Sequence, residues 1–217
     1  MRIEWLYRKS TDLVIVFFNG WGMDEKVIAH LEKDADLLMC SDYRSLNSED
    51  PPALSGYREV YVVAWSMGVW AAAHVLPTWK VAIKKKVALN GTERPVDDRF
   101  GIPYRTYVLT EKNMDERGRE KFFSRMLAGK EEIKRFADQK PGRELSGQAE
   151  ELRKIREYSS EQENCLHWDR VFISEQDVIF PPESQYAWWK ERAPVSFLQG
   201  GHYPFYQFKS WREILEY

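Results

Sequence analysis

The chain has 217 residues, 43% of them hydrophobic, enough to bury one sizeable core and too few to favour two separate domains. Its 32 basic and 34 acidic residues leave a formal net charge of -2, which gives no bulk electrostatic attraction to nucleic acid or to an anionic membrane. Cys40 and Cys165 lie far apart, outside any CxxC pair and away from histidine, so neither a disulfide framework nor a zinc site is predicted.

Residues 1–8 lack the apolar core of a secretory signal, which predicts a cytoplasmic chain. Residues 13–18, Leu-Val-Ile-Val-Phe-Phe, are β-branched and aromatic and are stopped by Asn19-Gly20; they suit a strand buried on both faces of a parallel sheet. A helix is expected over residues 25–31, a second buried strand over 36–40, a loop at Pro51-Pro52, and a third strand over 59–65. That strand runs into Ser66-Met67-Gly68 and then into residues 69–76, rich in alanine and ended by Pro77, which read as a helix. Residues 60–76 are the most apolar stretch, but Ser66, Gly68 and His74 interrupt it and it is too short to span a membrane. Further strands are expected over 86–90, 170–174 and 194–198, with a helix over 183–190, so strands and helices alternate as in a parallel α/β sheet.

Over residues 103–160 the composition turns charged and helix-favouring, with no strand pattern. Phe122, Phe123, Met126 and Leu127 share one helical face, and Leu145, Ala149, Leu152 and Ile155 share another, so two amphipathic helices are predicted to pack over the sheet as an inserted lid of a single domain.

Four motifs could carry chemistry. Ala64-Trp65-Ser66-Met67-Gly68 is a variant of the G-x-S-x-G nucleophile elbow, in which small neighbours let strand and helix nearly touch and the serine hydroxyl stands clear of the sheet. The Met67 N–H, at a helix N-terminus, can point at a developing oxyanion. Asn19-Gly20-Trp21-Gly22 follows the first buried strand, where a hydrolase keeps the loop supplying its other oxyanion donor; here that is the Trp21 N–H. Asp177 lies after a late strand and can orient a histidine, with Glu175 as its competitor; Asp177 is preferred because Val178-Ile-Phe-Pro181 returns the chain to the sheet. Gly200-Gly201 frees a loop to bring His202 over Ser66, whereas His30 and His74 sit in helical contexts and His167 precedes a strand. Read singly, each motif also suits a structural role: a buried serine, a strand-ending turn, an aspartate shaping a loop, a core histidine. Together they fall in the order oxyanion loop, Ser, Asp, His, each at the C-terminal end of a predicted strand, where open parallel sheets place their sites. The fold expected is a compact α/β-hydrolase, and the reaction is hydrolysis of an ester by nucleophilic catalysis, with no metal or organic cofactor required.

The combination Asn19-Gly-Trp-Gly-Met-Asp24, Ala64-Trp-Ser-Met-Gly68, Asn90-Gly-Thr92, Asp98-Arg-Phe-Gly-Ile-Pro103, Asp177-Val-Ile-Phe-Pro-Pro182 and Gly201-His-Tyr-Pro-Phe205 resembles the BioG-type pimeloyl-[acyl-carrier protein] methyl ester esterases of biotin synthesis. The BioH-type enzymes of the same reaction usually carry a histidine where this chain has Asn19 and a glycine where it has Ala64. The resemblance spans nearly the whole chain. It implies an acyl carrier protein as partner and release of methanol from its pimeloyl methyl ester, with Trp21, Trp65 and Phe122 lining an apolar slot. The basic residues Arg117, Lys121 and Arg125, spaced i, i+4, i+8, would form an outward stripe for the carrier, opposite the apolar face of their helix. Another esterase or acyl thioesterase on the same residues, or a hydrolase-like binding protein without turnover, are the alternative readings.

Overall fold

The computed structural model describes residues 1–9, 12–46, 54–159 and 165–216. The predicted Pro51-Pro52 loop lies outside them. Among the described residues seven strands form one sheet in the order β1-β3-β2-β4-β5-β6-β7. They are β1 (Arg2–Tyr7), β2 (Leu13–Phe18), β3 (Asp36–Ser41), β4 (Glu59–Trp65), β5 (Lys85–Leu89), β6 (Arg170–Ser174) and β7 (Val195–Leu198). From β3 across to β7 every pairing is parallel. β1 alone runs antiparallel, against β3, and closes that edge.

Burial explains why the central strands read clearly. Val14 to Phe18 in β2 and every residue of β3 are buried, as expected where helices cover both faces. The helix α1 (Met67–Val75) follows β4 without a linking loop and is buried on almost all sides, so its alanines are core residues. The remaining helices are α2 (Tyr104–Lys112), α3 (Glu116–Met126), α4 (Lys130–Phe136), α5 (Leu145–Tyr158), α6 (Pro182–Trp189) and α7 (Trp211–Glu216). This is the α/β-hydrolase fold, with α2 to α5 inserted between β5 and β6. No described helix is long and apolar enough to cross a membrane.

Three expectations are corrected. Residues 25–31 form only a 3₁₀ turn, Glu25–Ile28, which Asp24 caps by accepting the Lys26 N–H. The chain then leaves the turn because the Glu32 amide donates to the Lys209 carbonyl, and so few residues cannot sustain a helix of their own. Among the described residues the insertion holds four helices, not two. Finally, the buried face of α5 is not apolar: beside Leu152 and Ile155 it carries Gln148 and Glu151, each wholly buried.

Candidate active site

Because β2, β4, β6 and β7 run parallel, their C-terminal ends share one edge of the sheet, and the four motif-bearing loops emerge there. Ser66 joins β4 to α1 with φ 58° and ψ -124°, a conformation costing about 1–3 kcal/mol and found where the surroundings over-determine it. The surroundings do so here. A Cβ on Gly68 would lie 2.2 Å from the Phe18 carbonyl oxygen, and one on Gly91 would lie 2.4 Å from that of Ser66. Glycine at both positions lets the serine turn press against β2 and the end of β5.

His202 is buried between the other two groups. Its Nε2 lies 2.8 Å from Ser66 Oγ and its Nδ1 lies 2.8 Å from Asp177 Oδ2. Asp177, also buried, accepts the Ile179 and Phe180 amides at 2.9 and 2.8 Å on its other oxygen and the Gln185 side-chain amide at 3.1 Å. Glu175, the competing acid, faces solvent and accepts from Gln199. An imidazole held in this way can take the hydroxyl proton at Nε2 while the carboxylate fixes its tautomer and supports the imidazolium. Among the described residues neither the Trp21 nor the Met67 backbone N–H has an acceptor.

Trp65, expected to line the slot, also works from behind it. Its indole N–H donates to the His202 carbonyl at 2.9 Å, and its ring lies 5.6 Å from the imidazole. A Cβ on Gly20 would sit 2.8 Å from that ring, so this glycine lets the loop after β2 rest on the tryptophan. Asn90 is buried at the end of β5 with φ 46°, a conformation asparagine tolerates. Its side chain donates to the His202 carbonyl at 3.0 Å and to Ser174 Oγ at 2.8 Å, and accepts the Ser174 amide at 2.7 Å. Sequence alone assigns no role to Asn90 or Gln185; the Asn90-Gly91 dipeptide after a strand signals the turn but not the bonds.

A cleft of about 360 Å³ opens onto Ser66 and His202, within the range of small-molecule sites. Trp21, Phe122, Tyr107, Met126 and Ile179 line it, and Phe122 meets the Trp21 indole edge-on at 4.8 Å. The basic stripe is placed differently from expectation. Arg117, Lys121 and Arg125 are exposed, but Lys121 and Arg125 also line the cleft, beside Phe122 and not opposite it. At 3.6 residues per turn each step of four drifts about 40° around the helix, which carries the later members toward the site. Arg125 is moreover committed to the Val178 carbonyl at 3.0 Å.

The family profile described as "Pimeloyl-ACP methyl esterase BioG" matches residues 1–214. A Bacteroides fragilis protein named malonyl-[acyl-carrier protein] O-methyltransferase is 42% identical over 192 residues, covering 87% of this chain but only 39% of that protein. The crystal structure of BioG from Haemophilus influenzae superimposes with a TM-score of 0.90 at 34% identity, covering 99% of both chains. An esterase from Rhodococcus shares the fold, with a TM-score of 0.67 at 15% identity, over 99% of this chain and 91% of that one. With its Gly-Trp-Gly loop, Ala-Trp-Ser-Met-Gly elbow and Gly-His-Tyr-Pro-Phe ending brought to one cleft, and the profile matched along almost its whole length, the chain belongs to the BioG family.

Proposed function

We propose that the protein is a serine carboxylesterase that removes the methyl group from a pimeloyl-[acyl-carrier protein] methyl ester in biotin synthesis. The observation that carries the reading is the continuous hydrogen-bonded chain Ser66–His202–Asp177 at the floor of an apolar cleft. Family membership supports the substrate.

His202 Nε2 takes the proton as Ser66 Oγ attacks the ester carbonyl. The Trp21 and Met67 amides hold the oxyanion, and the imidazolium returns the proton to the departing methoxide. Water, deprotonated by the same imidazole, then releases the acid from Ser66. Phe122, Tyr107 and Ile179 take the methylene chain, whose length needs an apolar wall and whose neutral ester needs no countercharge. The thioester end leaves past Lys121 and Arg125, which offer positive charge to the carrier and its phosphate-bearing arm.

The test is incubation with the methyl-pimeloyl carrier protein, read by intact mass. Loss of 14 Da from the carrier species with methanol release is about what methyl ester hydrolysis gives, and release of free carrier thiol would identify a thioesterase instead. Ser66→Ala should abolish turnover with the fold intact, because the turn tolerates a small side chain. A fluorophosphonate label found on the alanine variant would remove Ser66 from its role.

A further inference from the structure

Helix α5 reaches the oxyanion loop through an unusual set of buried polar contacts. Glu151, wholly buried, accepts the Tyr43 amide on Oε1 at 2.9 Å and the Gly22 amide on Oε2 at 3.3 Å. The Arg143 guanidinium closes on Oε2 at 2.6 Å and lies 3.2 Å from Asp42. One turn earlier, the Gln148 side chain donates to the Gly22 carbonyl at 2.8 Å, while its backbone carbonyl accepts the Trp21 indole N–H at 2.8 Å. Burial pushes the Glu151 carboxyl up from its ordinary range, and Arg143 opposes that shift.

A buried ion pair of this kind is a poor source of stability, since well-packed apolar residues often do as well. Its geometric effect is specific. The peptide groups before and after Gly22 are both pinned from α5, and the Trp21 side chain is pinned at its indole. With Gly22 held at φ 70°, the loop has little torsional freedom left. The Trp21 N–H is the donor these ties leave unused.

We infer that Glu151 and Gln148 are positioning residues that hold the Trp21 amide in register with the oxyanion formed at Ser66. The inference rests on the serine mechanism proposed above. A donor that serves the transition state must stand about 2.7–3.1 Å from the oxyanion, and removing one costs about 10²–10³ in kcat. Loss of register should therefore lower kcat and leave ground-state binding alone.

The experiment compares Glu151→Gln and Gln148→Met with the native enzyme on a small soluble ester, with kcat expressed per Ser66 titrated by fluorophosphonate. Expected is a fall in kcat of about 10- to 100-fold with KM within about 2-fold. Affinity for a trifluoromethyl ketone, whose adduct on Ser66 places an oxyanion in the hole, should fall by the same factor as kcat. A merely structural role would lower the melting temperature and the titratable fraction but leave kcat per site unchanged, and that result overturns the inference. If Glu151→Gln does not accumulate as folded protein, Gln148→Met decides alone by the same two readouts. Failure of the underlying mechanism is distinguishable, because it would show as turnover by Ser66→Ala.

Discussion

Adding one methyl group at Gly68 tests whether the spacing between β2 and α1 sets the activity. An ideal Cβ there lies 2.2 Å from the Phe18 carbonyl oxygen, 2.7 Å from the Phe18 carbonyl carbon and 2.7 Å from the Asn19 carbonyl oxygen, where contacts under 3.0 Å are essentially never seen. At least 0.8 Å (3.0 minus 2.2) must be found, and all three atoms are backbone. Phe18 cannot give it, being paired with Cys40 on one side and Ala64 on the other. The displacement therefore falls between Ser66 and the loop that begins at Asn19. Overpacking of this kind costs about 1–3 kcal/mol, and misplacing reacting groups by about 1 Å costs about 10²-fold in rate. Gly68→Ala should accordingly show a lower urea midpoint and about a hundredfold lower kcat per titrated serine. The first elbow position is different. Ala64 lies in regular β4 and already carries a Cβ, so Ala64→Gly should cost about 0.5–1 kcal/mol of stability and leave kcat intact. Native kcat and stability in Gly68→Ala would refute the reasoning.

The acid and the basic rim give two further expectations. Asp177→Asn presents an amide to His202 Nδ1 and favours the wrong tautomer, so kcat should fall by about 10⁴, while Glu175→Gln, at an exposed side chain bonded to Gln199, should leave it unchanged; equal losses in steady-state assays would mean that Asp177 does not orient the imidazole. Arg117 is exposed and, unlike Lys121 and Arg125, does not line the cleft. Arg117→Glu should therefore lower kcat/KM for the carrier-bound ester, more at low salt than above about 0.15 M, and spare a small soluble ester; proportional losses on both substrates would mean that the charge does not act through the carrier.

The parts of the fold legible in the sequence are those where one physical signal dominates. β2, β4 and β6 are rich in β-branched and aromatic residues, as suits strands covered on both faces, and they begin and end where predicted. β1 carried no such signal: its residues are half-buried at a sheet edge, so its hydrophobicity neither runs continuously nor alternates. Ser66, Asp177 and His202 stood out because loops at strand ends concentrate chemistry-bearing residue types among glycines. Asn90, Gln148 and Glu151 did not, because each bonds groups of loops far away in sequence, and Gln185 did not, because its bond to the Asp177 carboxylate depends on how α6 is set against that loop. A helical wheel assigns Gln148 and Glu151 beside Leu152 and Ile155 without saying that α5 meets exposed amides there. The basic stripe is legible as a stripe, yet its drift around α3 decides whether it faces solvent or the cleft, and that depends on how the helix is set on the sheet.

The insertion bonds three of the four loops that build the site, those carrying Trp21, Asp177 and His202. α5 bonds the Trp21–Gly22 segment through Gln148 and Glu151. The end of α3 offers the Met126 carbonyl to the Tyr203 amide at 3.0 Å, next to His202, and a Cβ on Gly201 would lie 2.7 Å from that same carbonyl oxygen. Arg125 bonds the carbonyl of Val178, next to Asp177. The sheet brings the four strand ends to one edge, but a strand end fixes only where a loop starts. Loops are the least constrained backbone in a domain; leaving the buried bonds to the Trp21–Gly22 and Tyr203 segments unmade would cost about 1–3 kcal/mol each, whereas the Arg125 bond to Val178 is exposed and contributes less. Ties from the insertion to three separate loops therefore narrow the arrangements open to the Trp21, Asp177 and His202 segments at once. α3 and α5 thus both wall the cleft and brace the loops around it, so substitutions in either helix can shift the site without touching Ser66, His202 or Asp177.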